Sequence, residues 1–453
     1  MDSKQSTITV IMFPWLAHGH ISPFFELAKK LSSRNFKTYL CSTPVNLTSI
    51  KPKITPKFSS SIQLIELRVD PLPNLPPEFH TTKGLPLHLM PLLKQAFDSA
   101  QPQFSQLLQT LKPDLLIYDS LQPWAPLIAS SYNIPAVDFI TSSVTMTAYM
   151  QHHYIYRVSE WEFIDTIYFR DYEDKVVDRS HLLNPPPSLP KDKTRCFECL
   201  DRSDDIVLIK SFKQVEGKYI NYLSKLLGKK VVPVPLVQDC AANGGEDLGI
   251  IEWLDKKEKS STVFVSFGTE YYLSESEMEE IALGLELSGV NFLWVLRFPM
   301  GENTSLEKAL PKGFLERVGD RGMVVQGWAS QVKILQHPSI GGFVSHCGWS
   351  SVMEGMRFGK PFIAIPMHLD QPINARLVEE VGVGMEVVKD KNRKLDRKRV
   401  AEVIKKVVVE SDGEGVRKKA RELSEVLGME EGEQDIDVVV EELVKLVLKK
   451  KIC

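Results

Sequence analysis

A chain of 453 residues has length for two domains of ordinary size. With 43% hydrophobic and 25% charged residues and a formal charge of −3, its composition is that of a globular protein and offers no basic surface to nucleic acid or an anionic membrane. No apolar run approaches the roughly 20 residues that span a bilayer, and the first, 8–17, lacks a basic leader and a cleavage site, so a cytosolic location is expected.

Cys41, Cys196, Cys199, Cys240, Cys347 and Cys453 are scattered widely, which fits reduced thiols rather than a disulfide framework. Cys196 and Cys199 have redox or zinc spacing, but no second pair or matching histidine accompanies them, so neither use is expected. The sequons at Asn46 and Asn303 carry no weight without a secretory signal.

The elements alternate along the chain. Residues 7–13, TITVIMF, read as a strand, followed by the turn WLAHGHISP at 15–23. Ser22 is placed to cap the next helix, Pro23 suits its first turn, and Phe24, Leu27, Ala28 and Leu31 share one face. A strand at 37–42, a helix at 102–111, an unalternating buried strand at 113–119 and a strand at 134–140 follow. Residues 154–195 are irregular, rich in proline and charge, and suit a variable lobe facing substrate. His152 and His153 at its border read as exposed helix or loop residues in preference to acceptor-pocket lining. A strand at 230–237 then runs into QDCAANGGED, whose Gly, Asn and acidic content marks a linker.

The second half repeats the alternation: strands at 261–268, 291–298, 323–328, 340–349, 361–367 and 383–388, with helices at 274–289, 330–337, 350–359 and 371–382. Amphipathic helices at 395–411, 416–427 and 435–450 close the chain as packed surface helices. Two doubly wound parallel sheets facing one another are expected, with domains at 1–237 and 251–434, a linker at 238–250, and a last helix at 435–453 packing back on the first domain.

In open α/β sheets ligands bind beyond the carboxyl ends of the strands. That rule selects 17–20, Asp119, 268–270, Trp328, 346–351 and 368–371. His18 and His20 are equally placed by it. Free amides around Gly348, Trp349, Ser350 and Ser351, with His346 as a further donor, make an anion site; alternatively Ser351 and Glu354 form a capping box. Glu354 presents two acceptor oxygens to vicinal hydroxyls. Trp328 suits a stacked base or a lid on the core, and Asp370 with Gln371 suits sugar hydroxyls or, for Asp370, a helix cap.

From Trp328 to Gln371 the chain reads WASQVKILQHPSIGGFVSHCGWSSVMEGMRFGKPFIAIPMHLDQ. This stretch resembles the signature box of plant secondary-product UDP-glycosyltransferases, and GHISP, DLLIYD and VSFGT extend the likeness over the chain. CSTPVNL, GLPLHLMP and YDSLQPWAP resemble the group that adds a sugar to a sugar already present on a flavonoid or terpenoid glycoside. The resemblance implies a GT-B fold, two Rossmann-like domains facing a cleft, and inverting transfer from UDP-glucose with no cofactor and no metal.

Residue by residue it makes His20 the general base, oriented by Asp119. Thr269, His346, Gly348, Trp349, Ser350 and Ser351 would hold the diphosphate, Trp328 and Ala329 the uracil, Gln331 and Glu354 the ribose, and Asp370 and Gln371 the sugar. Trp15, His18, Ser120 and His368 are candidates for the acceptor side. The Asp435–Asp437 D-x-D lies at the expected start of the last helix, where capping explains it.

Ser330 and Lys360 depart from the box as loop and surface changes, Ser350 replaces the usual Asn, and VPVPLV lacks the usual glycine before proline. The partners expected are a UDP-sugar and a small-molecule glycoside acceptor, with the protein itself a monomer; a bare aglycone or UDP-xylose are the alternatives. A nicotinamide enzyme is disfavoured because no G-x-G-x-x-G follows either opening strand.

Overall fold

The computed structural model describes residues 7–70, 72–156, 160–173, 194–237, 248–299 and 304–452. Most of the expected linker, together with Cys240, Cys453 and Asn303, lies outside them.

β1 (Ile8–Phe13), β2 (Phe36–Ser42), β3 (Ile62–Glu66), β4 (Leu115–Tyr118), β5 (Ala136–Ile140), β6 (Ile206–Lys210) and β7 (Lys230–Val234) form one sheet in the order β3-β2-β1-β4-β5-β6-β7. Every pairing is parallel. Alternate residues serve opposite faces, so Val10, Met12, Leu115 and Ile117 enter one core while Ile11, Phe13, Leu116 and Tyr118 enter another. Burial on both faces is why these strands read as continuous apolar runs. β3 and β6 escape the sequence reading.

β8 (Thr262–Ser266), β9 (Asn291–Leu296), β10 (Gly322–Gln326), β11 (Ile340–Ser345), β12 (Phe362–Ala364) and β13 (Gly384–Glu386) form a second parallel sheet in the order β10-β9-β8-β11-β12-β13. In each sheet the winding reverses beside the first strand, between β1 and β4 and between β8 and β11. Among the described residues no helix is long and apolar enough to cross a membrane.

Two compact units emerge: Met1–Ile155 with Asn184–Gln238 and Met429–Cys453, and Tyr156–Leu183 with Asp239–Gly428. The last helix, Met429–Ile452, belongs to the first unit and buries Ile436, Val439, Leu443, Leu446 and Val447 in its core. At about 1.5–3 kcal/mol per buried aliphatic side chain, this outweighs the exposed pairs Arg34–Glu433 and Arg34–Asp437. The helix starts before Asp435, so capping does not explain that D-x-D; Asp437 accepts from Arg34 Nε at 2.6 Å.

Two further expectations are corrected. The first helix runs His18–Ser32 from an N-cap at Ala17, which puts Ser22 and Pro23 inside it. The described residues 160–173 belong with the second unit, where buried ion pairs hold them. Arg170 Nη1 lies 2.7 Å from Glu386, and Arg376 bridges Glu173 at 2.8 Å and Glu386 at 2.8 Å. Arg376 also stacks over Tyr168, and Trp161 is buried.

Removing one member of such a network strands the others as buried charges, a loss of about 3–5 kcal/mol. Glu386→Ala is therefore expected to lower the stability of the second unit by that amount in urea unfolding, and a loss below about 1 kcal/mol would contradict this.

Candidate functional site

In the first unit, β1 leads through residues 14–17 into the helix whose third residue is His20. His20 Nδ1 stands 2.9 Å from Asp119 Oδ2, and Asp119 directly follows β4. Asp119 is 1% exposed, whereas 31% of the His20 side chain is open. A carboxylate only accepts, so Nδ1 carries the proton between them and Nε2 keeps its lone pair. Thr141, just past β5, adds its Oγ1 at 3.1 Å from the same Nδ1. Nothing in the sequence distinguishes this threonine from its neighbours.

The helix Arg195–Arg202 fastens the Asp119 loop. Cys199 Sγ donates to the Asp119 carbonyl at 3.6 Å, Arg195 to the Leu121 carbonyl at 3.2 Å and Arg202 to the Pro123 carbonyl at 2.7 Å. Burial pushes the Cys199 thiol well above the ordinary thiol range. Ser120 donates to Asp138 at 3.1 Å, and burial, followed by the charge of Asp119, pushes the Asp138 carboxyl well above the usual range.

Trp15 is 4% exposed and packs edge-on against Phe97 at 5.5 Å within the core of the first unit. His18, half-buried, pairs its Nδ1 with Ser22 Oγ at 2.6 Å within its own helix. His152 and His153 are buried, contrary to expectation: His152 Nδ1 meets the Tyr222 hydroxyl at 2.6 Å and His153 Nδ1 meets the Tyr149 carbonyl at 2.7 Å.

In the second unit the candidates gather beyond β8, β10, β11 and β12. His346 follows β11 and is wedged between two glycines: a Cβ on Gly268 or Gly348 would lie 2.5 or 2.6 Å from its Nε2. Burial, then the neighbouring His368, pushes its pKa down to about 4, so the imidazole is neutral near neutrality. Its Nδ1 is buried and has no hydrogen-bond partner among the described residues. The helix Trp349–Arg357 starts from Gly348 with no side-chain cap, leaving amides at its positive end. Thr269 is exposed, next to Gly268 at φ +75°.

The capping-box alternative for Ser351 and Glu354 fails, because neither stands at that N-cap. Gln331 Nε2 donates instead to Ser351 Oγ at 2.9 Å and Glu354 Oε2 at 2.7 Å, joining the two segments assigned to ribose. Trp328 is 52% exposed, which excludes a lid on the core and leaves its face open; Ala329 is buried. Trp349 is buried and Ser350 half-buried.

Asp370 occupies the N-cap position of Gln371–Val381 but accepts no capping bond. Its Oδ2 accepts from Asn374 Nδ2 at 2.9 Å, and Asn374 also donates to the Cys347 carbonyl at 2.9 Å. Asn374 thus ties the loop after β11 to the loop after β12, a role without local signal in the sequence. Gln371 is buried, and its Oε1 accepts from the amides of Met367 at 2.9 Å and His368 at 3.1 Å, so the oxygen is committed to the backbone and only the NH2 remains as a donor. His368 lies 5.1 Å from the Tyr271 ring, its pKa lowered by burial and then by Lys389 and Arg393. Lys360 is more than a surface change: its half-buried amine donates to the His337 and Ile340 carbonyls at 3.1 and 2.9 Å. Among the described residues no group of three or more His, Cys, Asp or Glu gathers where a metal ion could sit.

Residues 229–426 match the model of the family described as UDP-glucoronosyl and UDP-glucosyl transferase, and residues 6–176 that of the glycosyltransferase N-terminal domain. A mogroside IIIx synthase of Siraitia grosvenorii is 54% identical over 99% of this chain and 95% of its own. A beta-D-glucosyl crocetin beta-1,6-glucosyltransferase of Gardenia jasminoides is 49% identical over 96% of this chain and 98% of its own. The crystal structure of Glycyrrhiza uralensis UGT73P12 with glycyrrhetinic acid 3-O-monoglucuronide has a TM-score of 0.85 over 98% of this chain and 97% of that one, at 22% identity.

The glycines around His346 generate a stability test. Gly268→Ala places a Cβ against the imidazole at a positive φ and is expected to cost about 1–3 kcal/mol. Gly19→Ala, whose Cβ meets nothing within 4 Å, is expected to be neutral or stabilising. Equal unfolding temperatures for the two variants would contradict the packing described.

Proposed function

The chain belongs to the UDP-glycosyltransferase family, and from that membership we propose that it transfers glucose from UDP-glucose to a hydroxyl of a sugar already attached to a small molecule, inverting to a β-glycoside. The observation that carries the mechanism is the His20–Asp119 pair at the winding reversal of the first sheet.

A sugar hydroxyl is far too weak an acid to be ionised near neutrality, so its proton must leave as it attacks. His20 Nε2, the lone-pair nitrogen, is the acceptor of that proton. The imidazolium formed then faces the Asp119 carboxylate at 2.9 Å, where burial of the carboxylate strengthens the attraction. Thr141 helps to hold the orientation of the ring at Nδ1.

Attack at the anomeric carbon expels UDP from the opposite side, and one displacement inverts the configuration. The departing diphosphate gains charge, which the helix end at Gly348–Ser351 and the His346 ring are suited to receive. Gln331 and Glu354 suit the ribose, and the exposed face of Trp328 suits the uracil. The proposal asks for no metal, because these fixed dipoles offer the charge stabilisation otherwise supplied by a cation.

Glucose is preferred as the donor sugar because the carboxylate of Asp370 and the amide NH2 of Gln371 are an acceptor and a donor suited to neutral hydroxyls. The glycoside acceptor is supported by the likeness to a relative whose name places its action on a glucosyl crocetin. A bare aglycone is the second reading.

Two experiments test these claims. His20→Ala is expected to lower kcat by about 10²–10⁴ and Asp119→Asn by about 10² or more, with Thr141→Val milder than either; an active His20→Ala enzyme would overturn the base assignment. Offered UDP-glucose with an aglycone and its monoglucoside in competition, the enzyme is expected to consume the monoglucoside, and product from the aglycone alone would contradict the glycoside reading.

A further inference from the structure

Arg297 lies directly beyond β9, at the same sheet edge as Gly268, Trp328 and His346. Its Nε donates to the Gly327 carbonyl at 3.2 Å and its Nη1 to the Gly268 carbonyl at 3.4 Å. Those carbonyls belong to two turns, the one before Thr269 and the one before Trp328. The guanidinium is half-buried, and among the described residues no carboxylate pairs with it. Burial holds its pKa below the ordinary arginine value.

A guanidinium carries five N–H donors, and two backbone carbonyls neither use them all nor cancel the charge. Retaining such a charge away from water without a counter-ion is costly, so the site is better compensated when an anion arrives. His346, which packs against the same Gly268, is held neutral near neutrality because burial and then His368 push its pKa down to about 4. The helix end at Gly348 contributes partial charge only.

Resting on the donor reading above, we propose that Arg297 is a positioning residue of the donor-diphosphate site: one guanidinium sets the turns at Gly268 and Gly327 and presents unneutralised charge to the diphosphate of the UDP-sugar. The family box does not include it, since it lies outside residues 328–371. Its two functions separate experimentally. Loss of the carbonyl contacts alone disturbs both turns and weakens uridine and UDP alike. Loss of the charge weakens UDP selectively.

Binding of UDP and of uridine is to be measured by titration of the full chain and of Arg297→Gln and Arg297→Lys, with thermal unfolding as the check on folding. Arg297→Gln is expected to weaken UDP by about tenfold or more beyond whatever loss it causes for uridine. Arg297→Lys, which keeps the charge, is expected to keep most of the preference for UDP. UDP affinity of Arg297→Gln within twofold of wild type, or an equal loss for UDP and uridine, overturns the proposal. If Arg297→Gln does not fold, loss of the UDP preference in folded Arg297→Lys overturns it. A wild-type chain that fails to bind UDP overturns the donor reading itself, an outcome distinct from normal UDP binding that Arg297→Gln leaves unchanged.

Discussion

Parallel strands cannot be joined by tight hairpins, so every strand of both sheets must be followed by a crossover that returns to the opposite edge. The residues just past the strands therefore collect along one edge, and where the winding reverses two successive loops part and leave room. Both sheets obey this constraint with the same winding. His20, Asp119 and Thr141 follow β1, β4 and β5; Gly268, Arg297, Trp328, His346 and Asp370 lie beyond β8, β9, β10, β11 and β12. Residues more than a hundred positions apart, such as His20 and Thr141, become hydrogen-bond partners for this reason alone.

The chemistry at those edges depends on how polar groups are compensated as water is removed. Asp119 is almost fully buried, yet it is faced by an imidazole and its backbone is held by a second helix, which turns a costly carboxylate into an oriented one. In the second unit Gln331 and Asn374 play the corresponding part through an amide that can donate twice, Gln331 to two residues of the helix Trp349–Arg357 and Asn374 to the loops at Cys347 and Asp370. Cys347 at φ +63° and Leu369 at φ +55° sit in those same loops, in a region that side chains other than glycine rarely enter. Strain of that kind is stored where the surrounding contacts over-determine it, and here Asn374 holds both loops.

The parts legible in the sequence are those whose cause is local. Strands buried on both faces announce themselves as apolar runs, as in LLIY of β4 and TVFVS of β8. β3 does not, because as an edge strand it is largely open and its sequence IQLIE is half polar. β6, IVLIK, is as apolar as its neighbours, but it is short and follows directly on a stretch rich in proline and charge that hides its boundaries. Ser22-Pro23 mimics a helix start, whereas the helix begins at His18 without a side-chain cap. The place of 160–173 had no local signal at all: it is set by Arg170 and Glu173 pairing with Glu386 and Arg376, two hundred positions away. The donor residues were legible as a motif with known spacing, while Thr141, Asn374 and Arg297 were not, since a lone threonine, asparagine or arginine looks the same wherever it stands.

The central claim is a single displacement in which one base, His20, serves one attacking hydroxyl. The anomeric configuration of the new bond reports on it most directly. Proton NMR of the product formed from UDP-glucose, taken before any mutarotation of hydrolysed sugar, should show the large vicinal coupling of a β-glucoside. A small coupling, marking an α-linkage with retained configuration, would contradict the account.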